Sequence, residues 1–166
     1  MKPALLLTLI ALPAFADSAG GISWTSPAAW KADAPRPMRA ATYLIAPVKG
    51  DTDSAECAVF YFGEGQGGGI DANVDRWVGQ FETTKAPVRK KEKLAGFEVT
   101  TIEVDGTYAS AMGGPMGPKT PKPGFKLLGA IVEGPKGNVF FKLTGPAKTV
   151  EGSRADFLKM LKSATK

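Results

Sequence analysis

Helical spacing of apolar residues occurs in only two stretches of this chain. The other apolar residues fall in short alternating runs cut by glycine and proline. That ratio restricts the fold to a sheet carrying a small number of helices. In the first helical stretch, Ile70, Val74, Trp77, Val78 and Phe81 recur at i, i+4, i+7, i+8 and i+11, one stripe of an amphipathic helix. Asp71 stands where an N-cap is expected, and Asp75 falls in the first turns, where the helix dipole favours acids. The second stretch covers about residues 150–163, with Val150, Phe157, Leu158 and Leu161 inward and Lys159 and Lys162 outward.

The alternating runs predict strands over residues 38–46, 55–62, 97–105, 125–133 and 138–143, with a short one at 22–24. Gly106, Thr107 and Tyr108 extend the third of these past a bulge. Residues 17–21 read as a flexible start and 47–54 as a polar turn. Residues 134–137 (GPKG) read as a hairpin turn. Residues 112–124 (MGGPMGPKTPKPG) hold too much glycine and proline for regular structure and read as a long loop. Neighbouring strands joined by short turns pair antiparallel. The expected class is α+β: an antiparallel sheet of about five to six strands covered by two amphipathic helices, an α/β sandwich.

The first 16 residues have the order of a secretory signal peptide. Lys2 precedes an apolar run over residues 4–12, Pro13 breaks it, and Ala14-Phe15-Ala16 gives a small-x-small cleavage site before Asp17. The run is too short for the roughly 20 residues that a membrane span requires. Residues 17–166 are then expected to form one domain of an exported, periplasmic or extracellular protein. Losing the leader lowers the net charge from +5 to +4. Such a modest excess is a solubility feature. Nucleic acid is not expected as a partner of an exported chain, nor is a membrane-spanning segment.

The chain has no histidine and one cysteine. Imidazole-based catalysis, zinc sites of the common kinds and an internal disulfide are therefore excluded. Cys57, in the strand-like run ECAVFYF, reads as a small buried hydrophobe rather than a reactive thiol.

Several local patterns resemble sites. Gly63-x-Gly65-x-x-Gly68 has the letters of a dinucleotide loop, but acids at its helix start oppose phosphate, and no second βα unit follows. The glycines are expected to serve as a flexible connection. Asp51, Asp53 and Glu56 lack the spacing of a calcium loop and read as a solvated turn. Met112 and Met116, with Met38 and Cys57, raise a soft-metal alternative, a periplasmic copper-binding protein. Ser163-x-x-Lys166 is a chance match at a chain end. Arg89-Lys90-Lys91-Glu92-Lys93 fits a solvated edge strand or loop. Long loops on a rigid sheet are the usual seat of binding, so Gly65, Gln66, Gly67, Met112 and Met116 are the candidate binding residues. No catalytic residue, cofactor or metal ligand is assigned.

A Trp-containing opening segment (Trp24, Pro27, Trp30) is followed in turn by a hairpin, a helix, more hairpin strands and a closing helix. This element order resembles the PsbP-like exported proteins. The resemblance implies a non-catalytic binding or assembly protein whose partner is an unknown protein or small ligand, and it carries over no functional residue. A secreted hydrolase using carboxylate or serine chemistry without histidine is the alternative.

Overall fold

The structure is a computed structural model that describes residues 16–111 and 119–166. In chain order the elements are β1 (Ala16–Ala19), β2 (Ile22–Thr25), β3 (Lys31–Ala32), β4 (Arg39–Ile45), β5 (Ala55–Phe60), α1 (Ile70–Val78), β6 (Phe81–Glu82) and β7 (Val88–Leu94). There follow β8 (Phe97–Ala111), β9 (Lys119–Gly134), β10 (Gly137–Pro146), α2 (Ala147–Gly152) and α3 (Arg154–Lys162). Eight strands form one antiparallel sheet in the order β3-β4-β5-β10-β9-β8-β6, with β7 also paired to β8, and β1 and β2 form a separate hairpin.

Strand periodicity sends neighbouring side chains to opposite faces. Phe140 and Phe141 in β10 show the result. Phe141 faces a core that holds Trp24, Leu143, Val150, Phe157 and Leu161, roofed by the β1–β2 hairpin, α2 and α3. Phe140 faces the other core, with Ile102, Leu127 and Ile131 under Val74 and Trp77 of α1. The sheet is thus sandwiched on both faces, as expected of an α+β chain with two helical stretches.

The count of five to six strands is corrected to eight in the main sheet plus the two-stranded hairpin. β3 and β6, with two residues each, are too short for a readable apolar alternation, and the edge strand or loop expected at Arg89–Lys93 is the exposed edge strand β7, of sequence VRKKEKL. Residues 17–21 are not a flexible start: β1 pairs with β2 in register from Ala16↔Thr25 to Ala19↔Ile22. The turn between them uses Gly20 and Gly21 at positive φ, which the usual hairpin turns require.

The expected loop over 112–124 also gives way in part, because residues 119–124 continue β9 against β8. Pro121 and Pro123 are tolerated there because β10 stops opposite Phe125, leaving that part of β9 an edge. The bulge expected near Gly106 is present as a register shift between Gly106 and Tyr108.

The second helical stretch is two helices rather than one. Gly152 is a poor helix former, and the Ser153 hydroxyl donates back to the Thr149 carbonyl at 2.9 Å, which ends α2 and turns the chain into α3. In α1 the N-cap is Gly69 with no side-chain cap, not Asp71. Asp71 instead pairs outward with Arg89 at 2.5 Å. Asn73 ties down the start of the helix, its amide donating to the carbonyls of Gly67 at 2.8 Å and Gly69 at 2.9 Å. The helix stops at Val78, and Phe81 reaches the same core from β6.

A polar cluster locks α2 and α3 to the sheet. Lys126 of β9 meets Glu103, Asp105 and Glu151 at 2.7, 3.4 and 3.0 Å, and Arg154 joins Glu103 and Glu151. Among the described residues no helix is long and apolar enough to cross a membrane.

Candidate binding cleft

Helix α1 is nine residues long and covers only one end of its sheet face. Along β10 on that face the side chains run Phe140, Lys142, Thr144, from apolar under the helix to polar beyond it. Along β5 the run is Phe60, Ala58, Glu56, and the pairing of Phe140 with Phe60 and Lys142 with Ala58 sets the two rows side by side. The uncovered end is a cleft of about 350 Å³. One wall is Arg36 and Arg39. The other is Tyr108, Lys122 and Phe125, on the arm where β8 and β9 run past the rest of the sheet.

Most of the charges in the cleft are mutually satisfied. Arg39 donates to Glu56 at 2.8 Å and to the Thr42 hydroxyl at 3.2 Å, and its guanidinium lies 5.5 Å from the Phe60 ring centre. Arg36 reaches Glu56 at 3.3 Å and Asp33 at 2.5 Å. Lys122 pairs with Asp53 at 2.6 Å, which ties the β8–β9 arm to the β4–β5 connection. The Tyr108 and Phe125 rings stack with centres 6.1 Å apart and an interplanar angle of 7°.

Lys142 differs from the other three cations. Its ammonium donates to the Gln80 side-chain carbonyl at 2.5 Å and, more weakly, to the Tyr108 hydroxyl at 3.5 Å, and it sits 5.4 Å from the Tyr108 ring centre. It has no carboxylate partner among the described residues. Residues 1–15 and 112–118, which lie outside them, contain no Asp or Glu. Burial, reinforced by the nearby Arg39 charge and only partly offset by Glu56, pushes the Lys142 amine down to about 8. Two residues further along the same face, the Thr144 hydroxyl oxygen is buried with no hydrogen-bond partner among the described residues.

The residues singled out in the sequence lie elsewhere. Gly65 and Gln66 are exposed in the β5–α1 connection, and the Gln66 amide closes a turn onto the Gly63 carbonyl at 3.1 Å. Gly67 is pressed against Phe62 and adopts φ +88°, so its glycine is required by packing. Met112 and Met116 lie outside the described residues. Cys57 is fully buried in the core on the opposite face, where burial pushes its thiol well above the usual range, and Met38 is exposed on a turn. The two are therefore not brought together as a thiolate and thioether pair. Asp51 is no ion ligand either: its carboxylate accepts hydrogen bonds from the Thr149 amide and hydroxyl.

The cleft residues were missed because they are scattered over β4, β5, β8, β9 and β10. One signal was present, a charged residue at 142 inside the central-strand run VFFKLT.

No protein-family model matches this chain, and no curated protein matches it in sequence. The solution structure of cyanobacterial PsbP (CyanoP) from Synechocystis superposes with a TM-score of 0.56 at 10% identity, covering 99% of this chain and 98% of that one. The chain has a PsbP-like fold. At this identity the fold is what the two chains share.

Proposed function

We propose that this PsbP-like protein is an exported, non-catalytic binding protein and that the cleft over β5 and β10 is its binding surface. The observation that carries the reading is the unneutralised ammonium of Lys142, with the unpartnered Thr144 hydroxyl two residues along the same strand, in a cleft walled on one side by Tyr108 and Phe125. A buried charge without a counter-charge destabilises the fold and is tolerated where it serves a site. The volume lies within the roughly 300–1,000 Å³ range of small-molecule pockets. Glu56 and Asp53 are committed to ion pairs with Arg36, Arg39 and Lys122, which suits a fixed binding wall better than proton transfer.

Export rests on the leader-like residues 1–16. Asp17, the expected first residue after cleavage, accepts a hydrogen bond from Tyr43. Mass spectrometry of the secreted protein is expected to give an N-terminus at Asp17, and recovery of intact Met1 in a membrane fraction overturns export.

Native mass spectrometry of protein purified from its host tests the binding role. A co-purifying small molecule, lost in Arg39→Ala and Lys142→Met, is expected. Turnover of ester, glycoside or peptide substrates that disappears on changing Ser54 or Glu56 overturns the non-catalytic reading.

A further inference from the structure

We propose that the cleft recognises a small organic monocarboxylate with a flat apolar body, its carboxylate taken by the Lys142 ammonium and the Thr144 hydroxyl. This deepens the binding reading above and rests on it.

The charge balance selects the ligand's charge. Arg36, Arg39, Lys122 and Lys142 face or border the cleft, and Asp33, Asp53 and Glu56 neutralise all but one of them. The remaining positive charge belongs to Lys142, whose partners Gln80 and Tyr108 are neutral. A single anionic group restores balance. A dianion would leave a negative charge in a partly enclosed space, and a cation would meet Lys142 unshielded.

The hydrogen-bond inventory selects the group. An ammonium offers three donors, and Gln80 and Tyr108 occupy at most two. The Thr144 hydroxyl adds a donor from the same face of β10. Two donors two residues apart on one face of a strand suit a carboxylate.

The walls select the body. Tyr108 and Phe125 stack on each other at 7° along one wall, Phe60 closes the helix end, and Ala58 leaves space on the floor beside them. A flat apolar body fits against that aromatic wall, over Ala58.

The test is isothermal titration calorimetry of the purified protein at pH 7 with 2-naphthoate, the neutral 2-naphthamide and the cationic 2-naphthylmethylamine. The expected result is that 2-naphthoate binds at least about tenfold more tightly than the amide, in line with a charge-assisted pair. Lys142→Met is expected to abolish that preference while keeping the fold, since it replaces a buried stem with one of similar shape. Thr144→Val is expected to weaken 2-naphthoate several-fold.

Equal binding of 2-naphthoate and its amide, or a 2-naphthoate preference that survives Lys142→Met, overturns the carboxylate assignment. If the amide or amine binds best and Arg39→Ala abolishes it, the carboxylate class fails while the cleft stands as a binding surface. If none of the three probes binds, the carboxylate proposal fails, and the co-purification experiment decides the binding reading separately.

Discussion

The indole of Trp77 lies directly on Gly129 of β9: a methyl group at that position would come within 2.5 Å of Trp77 Cζ3 and 2.8 Å of Ile102 Cγ2. A short helix can seat a large ring on a flat sheet because the sheet has no side chain beneath it. Trp77 is 6% exposed and stands edge-on to Phe140.

Gly129→Ala is therefore expected to destabilise the protein by about 1–3 kcal/mol through overpacking. Trp77→Ala should cost about 3–5 kcal/mol. Arg76→Ala, on the exposed side of α1, should cost less than about 1 kcal/mol. Chemical denaturation midpoints check the order. A Gly129→Ala midpoint equal to wild type would show that α1 does not press on the sheet.

Tyr43 joins the opening hairpin to the sheet. Its hydroxyl accepts from Trp24 Nε1 at 2.8 Å and donates to Asp17. Tyr43→Phe leaves the buried indole N–H without its acceptor and is expected to cost about 1–3 kcal/mol. Hydrogen exchange should show faster opening at Ile22–Thr25 in that variant. An unchanged exchange pattern there would mean that the hairpin docks by packing alone.

The cluster around Lys126 predicts acid sensitivity. Hydrogen bonds from Arg154 and Lys126 lower the Glu151 carboxyl to about 2. A depressed carboxyl contributes stability above its unfolded value of roughly 4.3 and loses it as pH falls toward the folded value. Wild type should therefore lose stability between about pH 4.5 and 2 more steeply than Glu151→Gln, as thermal melts across that range would record. Parallel pH profiles would remove Glu151 from the account.

Lys142 predicts a rise of stability with pH in the alkaline range as well. Its amine is lowered to about 8, against roughly 10.4 when unfolded. Between those values the unfolded chain holds a proton that the folded chain lacks, so stability rises with pH by up to about 1.4 kcal/mol per unit. Arg39 from β4, Glu56 from β5, Tyr108 from β8 and Lys122 from β9 border the same cleft and are common to both proteins compared. Lys142→Met should be more stable than wild type below pH 8, with the gap narrowing toward pH 10. A constant gap would contradict the buried ammonium.

The sequence carried the sandwich and its core well, because Trp77, Val74, Phe141 and Phe157 sit in runs whose period announces the buried face. It carried the edges badly. β3 and β6 are two residues long, so their pairing comes from tertiary position rather than pattern, and the charged run of β7 left edge strand and loop both open. Asp71 looked like a cap by position alone, whereas Asn73 does the local bonding. The cleft stayed hidden for a different reason. Arg39, Glu56, Tyr108, Lys122 and Lys142 are spread over a hundred residues and meet only through strand order, and in the glycine-rich run that drew attention Gly67 is pressed against Phe62.

The most direct measurement is an NMR titration of the Lys142 side chain in the purified protein, alone and with saturating 2-naphthoate. The account predicts titration near pH 8 without ligand and a clear upward shift with the anion bound, because the carboxylate stabilises the ammonium. A Lys142 that titrates at the ordinary lysine value of roughly 10.4 in both samples would contradict it.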